Sequence, residues 1–496
     1  MLASGAMARP ATSSALHRRR PVLLLGFLLA LVALAAGLRM HLREPLLPEA
    51  TRLAEIDWTQ YPEILAFQEF LRIDSSYPDG NEIPAAEFLA RHLSEAGVSD
   101  ITIERLGERN ANLWATLPGE NPEALVLHQH VDVVPPQPHE VWLYPPFSGR
   151  IAPPFIYGRG AFDMKSVGIA QLFAMAELAR SGTPLERSVT MLATGDEERD
   201  SWMGTRRLLD LHPEWADQMW VVLTEGGAIE ANSLEDVRYW GTEFQQKRYV
   251  DVWVCDASAA RLEALRSDLL PRRTELQMTD EIARFLRAYA PSRDRSQMRD
   301  LFARPEVMLE RLRTWPDDVG PTVIPPHVDR LMRDWLAISP VHEAPGGGFR
   351  IRVIVHLLPH KVLDDVWESL FGDGILNNFT TIIEAVHDPV AASPIDHPVF
   401  QTIDQVVEGR FPEIDHGPTF IPFAATDARY FREVGIDSFG FSPFRLLATD
   451  ANNMKGANER MPLDIFVEGV ELYTDLVRAL VVAPAGGDTA GDSPAE

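Results

Sequence analysis

Cysteine occurs once in the 496 residues, at Cys255. No disulfide can close within one chain, and no cysteine cage can hold a zinc ion. Any bound metal must therefore rest on His, Asp and Glu. Basic residues are scarce beside acidic ones, 46 Lys and Arg against 72 Asp and Glu, for a net charge of −26. A surface of that sign repels nucleic acid phosphates and anionic lipid headgroups, so neither is expected as a partner. No internal repeat is visible. Long apolar runs are also absent, with one exception near the N-terminus.

That exception is residues 21–38, uncharged and apolar, directly after Arg18, Arg19 and Arg20 in the basic segment 1–20. Its length is at the lower edge for a membrane-spanning helix, and the preceding arginines favour a cytoplasmic N-terminus. Ala33-Leu34-Ala35 equally resembles a signal-peptidase site. Both readings, uncleaved anchor and cleaved signal, send the rest of the chain out of the cytoplasm. It would be membrane-anchored and periplasmic, extracellular or lumenal in the first case, and secreted in the second.

The rest is globular in composition, with 46% hydrophobic and 24% charged residues. Its length predicts two or three domains. Residues 39–50 read as a linker, and 484–496, rich in Gly, Ala, Asp and Pro, as a disordered tail. Short β-rich apolar runs at 124–130, 188–194 and 219–224 alternate with helical spacing at 167–179. That alternation predicts an α/β domain on a mostly parallel sheet. From about 243 the pattern changes to strands at 248–255, 348–358 and 380–386, with helices at 259–269 and 362–370. The expected division is a catalytic domain of 51–242 and 387–483, with a smaller α+β domain of 243–386 inserted.

Several segments carry chemistry. His130-Val131-Asp132 follows a strand, where alternation sets His130 and Asp132 on one face. A carboxylate beside an imidazole can fix its tautomer for metal binding. Gly158-Arg159-Gly160-Ala161-Phe162-Asp163-Met164-Lys165 puts Asp163 just before a helix, as a metal-bridging carboxylate or as a helix cap. Gly195-Asp196-Glu197-Glu198 is an acid run that needs either solvent or cations. Thr224-Glu225-Gly226-Gly227, Thr426-Asp427-Ala428-Arg429 and Gly456-Ala457-Asn458-Glu459-Arg460 complete the set. Each is weak alone.

In this order, over roughly residues 55–480, these segments resemble the zinc metallopeptidase family of carboxypeptidase S, aminoacylase, carboxypeptidase G and the acetylornithine and succinyl-diaminopimelate deacylases. The likeness is densest over 142–204, where Tyr144-Pro145-Pro146-Phe147-Ser148-Gly149 looks like carboxypeptidase S. The resemblance implies a zinc-exopeptidase-like α/β catalytic domain with two zinc ions, and an inserted lid that often forms a homodimer. It implies a small-molecule or short-peptide substrate. His130, Asp163, Glu198 and Glu225 would be ligands, Asp132 would orient His130, and Glu197 would be the general base. Asp427, Arg429 and Asn458 fall on the substrate side.

The chain also departs from the pattern. Thr224 stands where close relatives carry an aspartate ligand, and Lys455 where they carry the last histidine ligand. The ammonium of Lys455 has no lone pair. It either ligates as a neutral amine or stands in for the second metal by its charge. Val254-Cys255-Asp256-Ala257-Ser258 lacks the lid histidine, and His356-Leu357-Leu358-Pro359 lacks the lid arginine. Two functions stay open on these residues: a zinc-dependent peptidase or amidohydrolase with one or two ions, and a catalytically impaired relative that binds peptides or small molecules.

Overall fold

The computed structural model describes residues 53–78, 81–233, 236–314, 324–372, 374, 376–384, 389–422, 425–446 and 453–483. The apolar run at 21–38, the linker at 39–50 and the tail at 484–496 lie outside the described residues. Among the described residues, no helix is long and apolar enough to cross a membrane. The chain divides into two compact units, Met1–Asp57 and Trp58–Glu496. Of the first, only residues 53–57 are described, with a turn of helix at 53–55.

The second unit is built on a nine-stranded sheet. Its main path runs Asp100–Arg105, Ala111–Leu117, Arg187–Thr194, Asn121–His130, Met219–Thr224, Ser438–Gly440, Asp236–Gln246 and Asp415–Ile421, with Ala228–Ser233 pairing Asp236–Gln246. The four strands from Arg187–Thr194 to Ser438–Gly440 are mutually parallel, and antiparallel pairs lie toward both edges. Parallel strands need both faces covered, so they read as continuous apolar runs. The last seven residues of Asn121–His130 are all buried.

Alternation along these strands sorts the two faces. Ala124, Val126, Leu192 and Val222 pack with Leu208 and Leu209 of helix Thr205–Leu211 and with Tyr430 and Phe431 of Ala428–Glu433. The long helices Lys165–Ser181 and Leu463–Val481 pack on each other and on the sheet's strands.

Strand Asp236–Gln246 passes through Lys247 straight into Arg248–Asp256, which belongs to a second sheet. There Trp335–Ile338, Phe349–Leu357, Arg248–Asp256 and Thr380–Glu384 pair antiparallel. Helices Ala259–Leu269 and Asp364–Phe371 close a separate core through Leu262, Leu265, Val366 and Leu370. The expected division point at 243 falls inside a strand of the first sheet. The helix Asp280–Tyr289 packs back on Asp415–Ile421 of that sheet.

The return from the second sheet is tied down by a buried ion pair. Arg432 donates to both oxygens of Glu243 at 2.9 and 3.0 Å, to Ser438 O at 2.6 Å and to Ser393 Oγ at 3.1 Å. Both side chains are essentially inaccessible. Removing one partner of such a pair strands the other charge, at about 3–5 kcal/mol. Arg432→Leu should lower stability by about that much in a denaturant titration, and adding Glu243→Leu should recover much of the loss.

Candidate metal centre

The three adjacent parallel strands Arg187–Thr194, Asn121–His130 and Met219–Thr224 end together. Their carboxyl ends carry the acid run, His130 and Glu225. Ligand sites in open α/β sheets lie at this edge.

His130 is buried, and its Nδ1 donates to the carbonyl oxygen of Asp132 at 3.0 Å. A carbonyl can only accept, so in the neutral ring the proton sits on Nδ1 and the Nε2 lone pair points outward. Nε2 lies 3.1 Å from Asp163 Oδ1, 3.7 Å from Glu225 Oε1 and 4.0 Å from Glu197 Oε2. His130, Asp163 and Glu225 each offer one ligand atom, all within 4.8 Å of one another. Ligand atoms around a tetrahedral zinc, at bonds of about 2.0–2.2 Å, sit about 3.3 Å apart. The donor set therefore fits a zinc-sized ion. The charge balance fits too, because Asp132, Asp163, Glu197 and Glu225 all reach within 4.0 Å of the ring nitrogens of one imidazole.

That crowding shows in the proton affinities. Burial, with the charges of Glu225 and Glu198, pushes Glu197 well above its usual range. Burial and the neighbouring Asp163 carry Glu198 up to about 7, and burial with Asp163 also raises Glu225. Burial acts against charge on Asp163 as well, but Lys455 and His130 overcome it and hold this carboxyl below its usual range. Burial would discharge His130, yet Glu225, Asp132 and Asp163 raise its proton affinity instead. The group asks for a cation.

The loop that presents Glu197 is held by its amides. Gly195 N donates to Asn112 Oδ1 at 3.0 Å, and Asp196 N to Glu82 Oε1 at 3.1 Å. Glu197 N and Glu198 N donate to the two oxygens of Asp132, each at 3.1 Å. Four consecutive amides thus each meet a side-chain oxygen. The fastening is needed, since Asp196, Asp200 and Ser201 adopt left-handed φ of 63°, 72° and 50°, each unfavourable by about 1–3 kcal/mol. Gly195 is fixed by the same packing, because a Cβ there would meet Glu82 Oε2 at 2.0 Å. Glu82 and Asn112 belong to no sequence motif, and only the distance of the contacts in sequence hid them. The acid Glu82 opening helix Ile83–Glu95 was the sole signal.

Thr224 stands apart from this group. Its side chain turns away from the ligands and bonds His128 Nδ1 at 2.8 Å, because 224 and 225 point to opposite sides of the strand end. Glu225 faces His130, so the threonine removes no ligand from this group. His128 is buried, held at Nε2 by Thr194 and Thr205, and burial lowers its pKa to about 3.

The other sequence candidates divide. Asp427 lies in the layer behind the site, accepting from Ser201 and, at 2.6 Å, from Thr205. Arg429 is buried against Asp200 at 3.0 Å and between the rings of Tyr249 and Tyr430. Asn458 clamps the loop at Val141 and Leu143, and Glu459 accepts from the amides of Phe162 and Asp163 at 2.9 and 3.3 Å. Lys455 reaches the ligand group, with Nζ 2.6 Å from Glu198 Oε2 and 3.3 Å from Asp163 Oδ2. His356, at the place of the lid arginine, is stacked on Trp335 at 4.0 Å.

The model of peptidase family M20/M25/M40 matches residues 126–479. Aminoacylase-1 of Sus scrofa is 26% identical over 434 residues, covering 86% of this chain and 97% of its own length. Succinyl-diaminopimelate desuccinylase of Methylorubrum extorquens is 42% identical over 151 residues, 29% of this chain and 37% of its own. Among solved structures, the M20 family metallo-carboxypeptidase Sso-CP2 from Sulfolobus solfataricus aligns with a TM-score of 0.64 at 17% identity, covering 84% of this chain and 99% of that one. That likeness speaks to the fold, an α/β catalytic domain carrying an inserted lid. With the family match spanning well over half its length, the chain belongs to peptidase family M20/M25/M40.

Proposed function

We propose that the chain is a zinc-dependent hydrolase of amide bonds in short peptides or N-acyl amino acids. The observation that carries this is the convergence of His130, Asp163 and Glu225 on one point beside the buried carboxyl of Glu197. The names of the relatives, an aminoacylase, a desuccinylase and a carboxypeptidase, support an amide as the bond cleaved. Zinc bound by these three residues would polarise an amide carbonyl and lower the pKa of a water molecule.

The chain's own residues do the remaining work. Glu197 takes the proton of the attacking water and delivers it to the leaving nitrogen, releasing an amine and a carboxylic acid. Its raised proton affinity suits a group that must accept and then give up a proton near neutral pH. Asp132 fixes the ring of His130 through its backbone carbonyl and fixes Glu197 through its carboxylate. Glu82 and Asn112 hold the two amides before Glu197, which sets where its carboxyl lies.

Glu197→Gln should retain zinc and its melting temperature while kcat for N-acyl amino acids and dipeptides falls by about 10²–10⁴-fold. Unchanged turnover would remove Glu197 from the base role. Glu225→Gln should weaken zinc binding, read by chelator competition, and stripping the metal from the native chain should abolish hydrolysis until zinc is returned. Glu82→Ala leaves the buried amides of Asp196 and Ala111 unpaired, a loss of about 1–3 kcal/mol each. Displacement of the loop should cut kcat by about 10²-fold with KM changed far less.

A further inference from the structure

The resemblance to two-zinc enzymes calls for a second ion held by Asp163, Glu198 and a histidine at 455. The residues present do not fit it. The Nζ of Lys455 lies between the two carboxylates that this ion would need, 2.6 Å from Glu198 Oε2 and 3.3 Å from Asp163 Oδ2. The first is a charge-assisted hydrogen bond from an ammonium to its acceptor and the second an ion pair. An amine ligating a metal would instead aim its lone pair at the ion and turn its hydrogens away. A zinc ion needs its oxygens at about 2.0–2.2 Å, so it would have to expel the ammonium from between them.

Lys455 is not a stray surface lysine. It sits in a left-handed turn with φ of 57°, as does Asn458 with 62°. Arg159, buried, donates to Gly456 O at 3.2 Å and to Glu459 at 2.7 Å, which fixes the turn. The same Glu459 holds the amide of Asp163. Lysine and bridging aspartate are therefore positioned by one hydrogen-bonded block, while the lysine side chain keeps 39% exposure on its open flank.

We propose that the Lys455 ammonium takes the place of the second metal, so that the centre is mononuclear and the lysine is its second electrophile. One of its hydrogens meets Glu198 and a second faces Asp163. The third, on the exposed flank, donates to the carbonyl oxygen of the substrate amide as negative charge develops there. No bond to Lys455 forms, and its proton stays in place. This rests on the hydrolase reading above for the electrophile, but not for the ion count.

The test is metal stoichiometry of the full chain, stripped, reloaded with excess zinc, desalted and measured by elemental analysis. The expected count is one ion per chain for the native protein and two for Lys455→His, which restores the missing ligand. Two ions in the native protein would overturn the proposal and leave the hydrolase reading standing. No ion would overturn both. A count that stays at one in a folded Lys455→His would also overturn it; if that variant does not fold, the native count decides alone. Lys455→Met should keep the first ion and lose about 10²–10³-fold in kcat. Full activity in that variant would refute the electrophile role.

Discussion

Carboxylates buried side by side repel one another, and the repulsion is tolerated only where positive charge or donated hydrogen bonds answer it. Nearly every feature of the centre is an answer of that kind. Asp132 is met by two backbone amides, Glu82 by the amides of Asp196 and Ala111, and Glu459 by Arg159 and two more amides. Asp163 and Glu198 are met by Lys455. The inner oxygens of Asp163, Glu225 and Glu197 share the single imidazole of His130, at 3.1, 3.7 and 4.0 Å from its Nε2. Glu198 Oε1 is buried without a partner. The ligand atoms of His130, Asp163 and Glu225 converge among these carboxylates.

Some of these residues are legible in the sequence and others are not. His130, Asp163 and the acid run are readable because each ends or follows a strand, and three parallel strands ending together must bring their tips together. The apolar runs at 124–130, 188–194 and 219–224 are readable because strands covered on both faces cannot alternate. Lys455 stands out because it interrupts a recognisable segment. Glu82 and Asn112 do not, since an acid at a helix start and an asparagine in a strand are ordinary. Only the tertiary contacts, tens of residues away, give them their role. Thr224 and Glu225 differ in role for a related reason. A one-residue step at a strand end reverses the direction of the side chain, so the position of a motif in a string does not say which of two neighbours faces the site.

The inserted lid is less independent than its sequence suggests. Its first strand follows the catalytic sheet after the single residue Lys247, leaving no flexible linker at that crossing. Tyr249, two residues further on, donates from its hydroxyl to Asp200 Oδ1 at 3.2 Å. Asp200 also accepts from Arg429 and from the hydroxyl of Tyr430, and lies three residues after Glu197. The lid therefore touches the loop of Glu197 through Asp200, a left-handed residue that the surrounding contacts hold in place. The strand that carries Tyr249 and the loop that carries Asp200 are joined by this hydrogen bond. In this chain the loop of Glu197, the proposed base, is held by Glu82, Asn112 and Asp132 at its amides and by Tyr249 of the lid at Asp200.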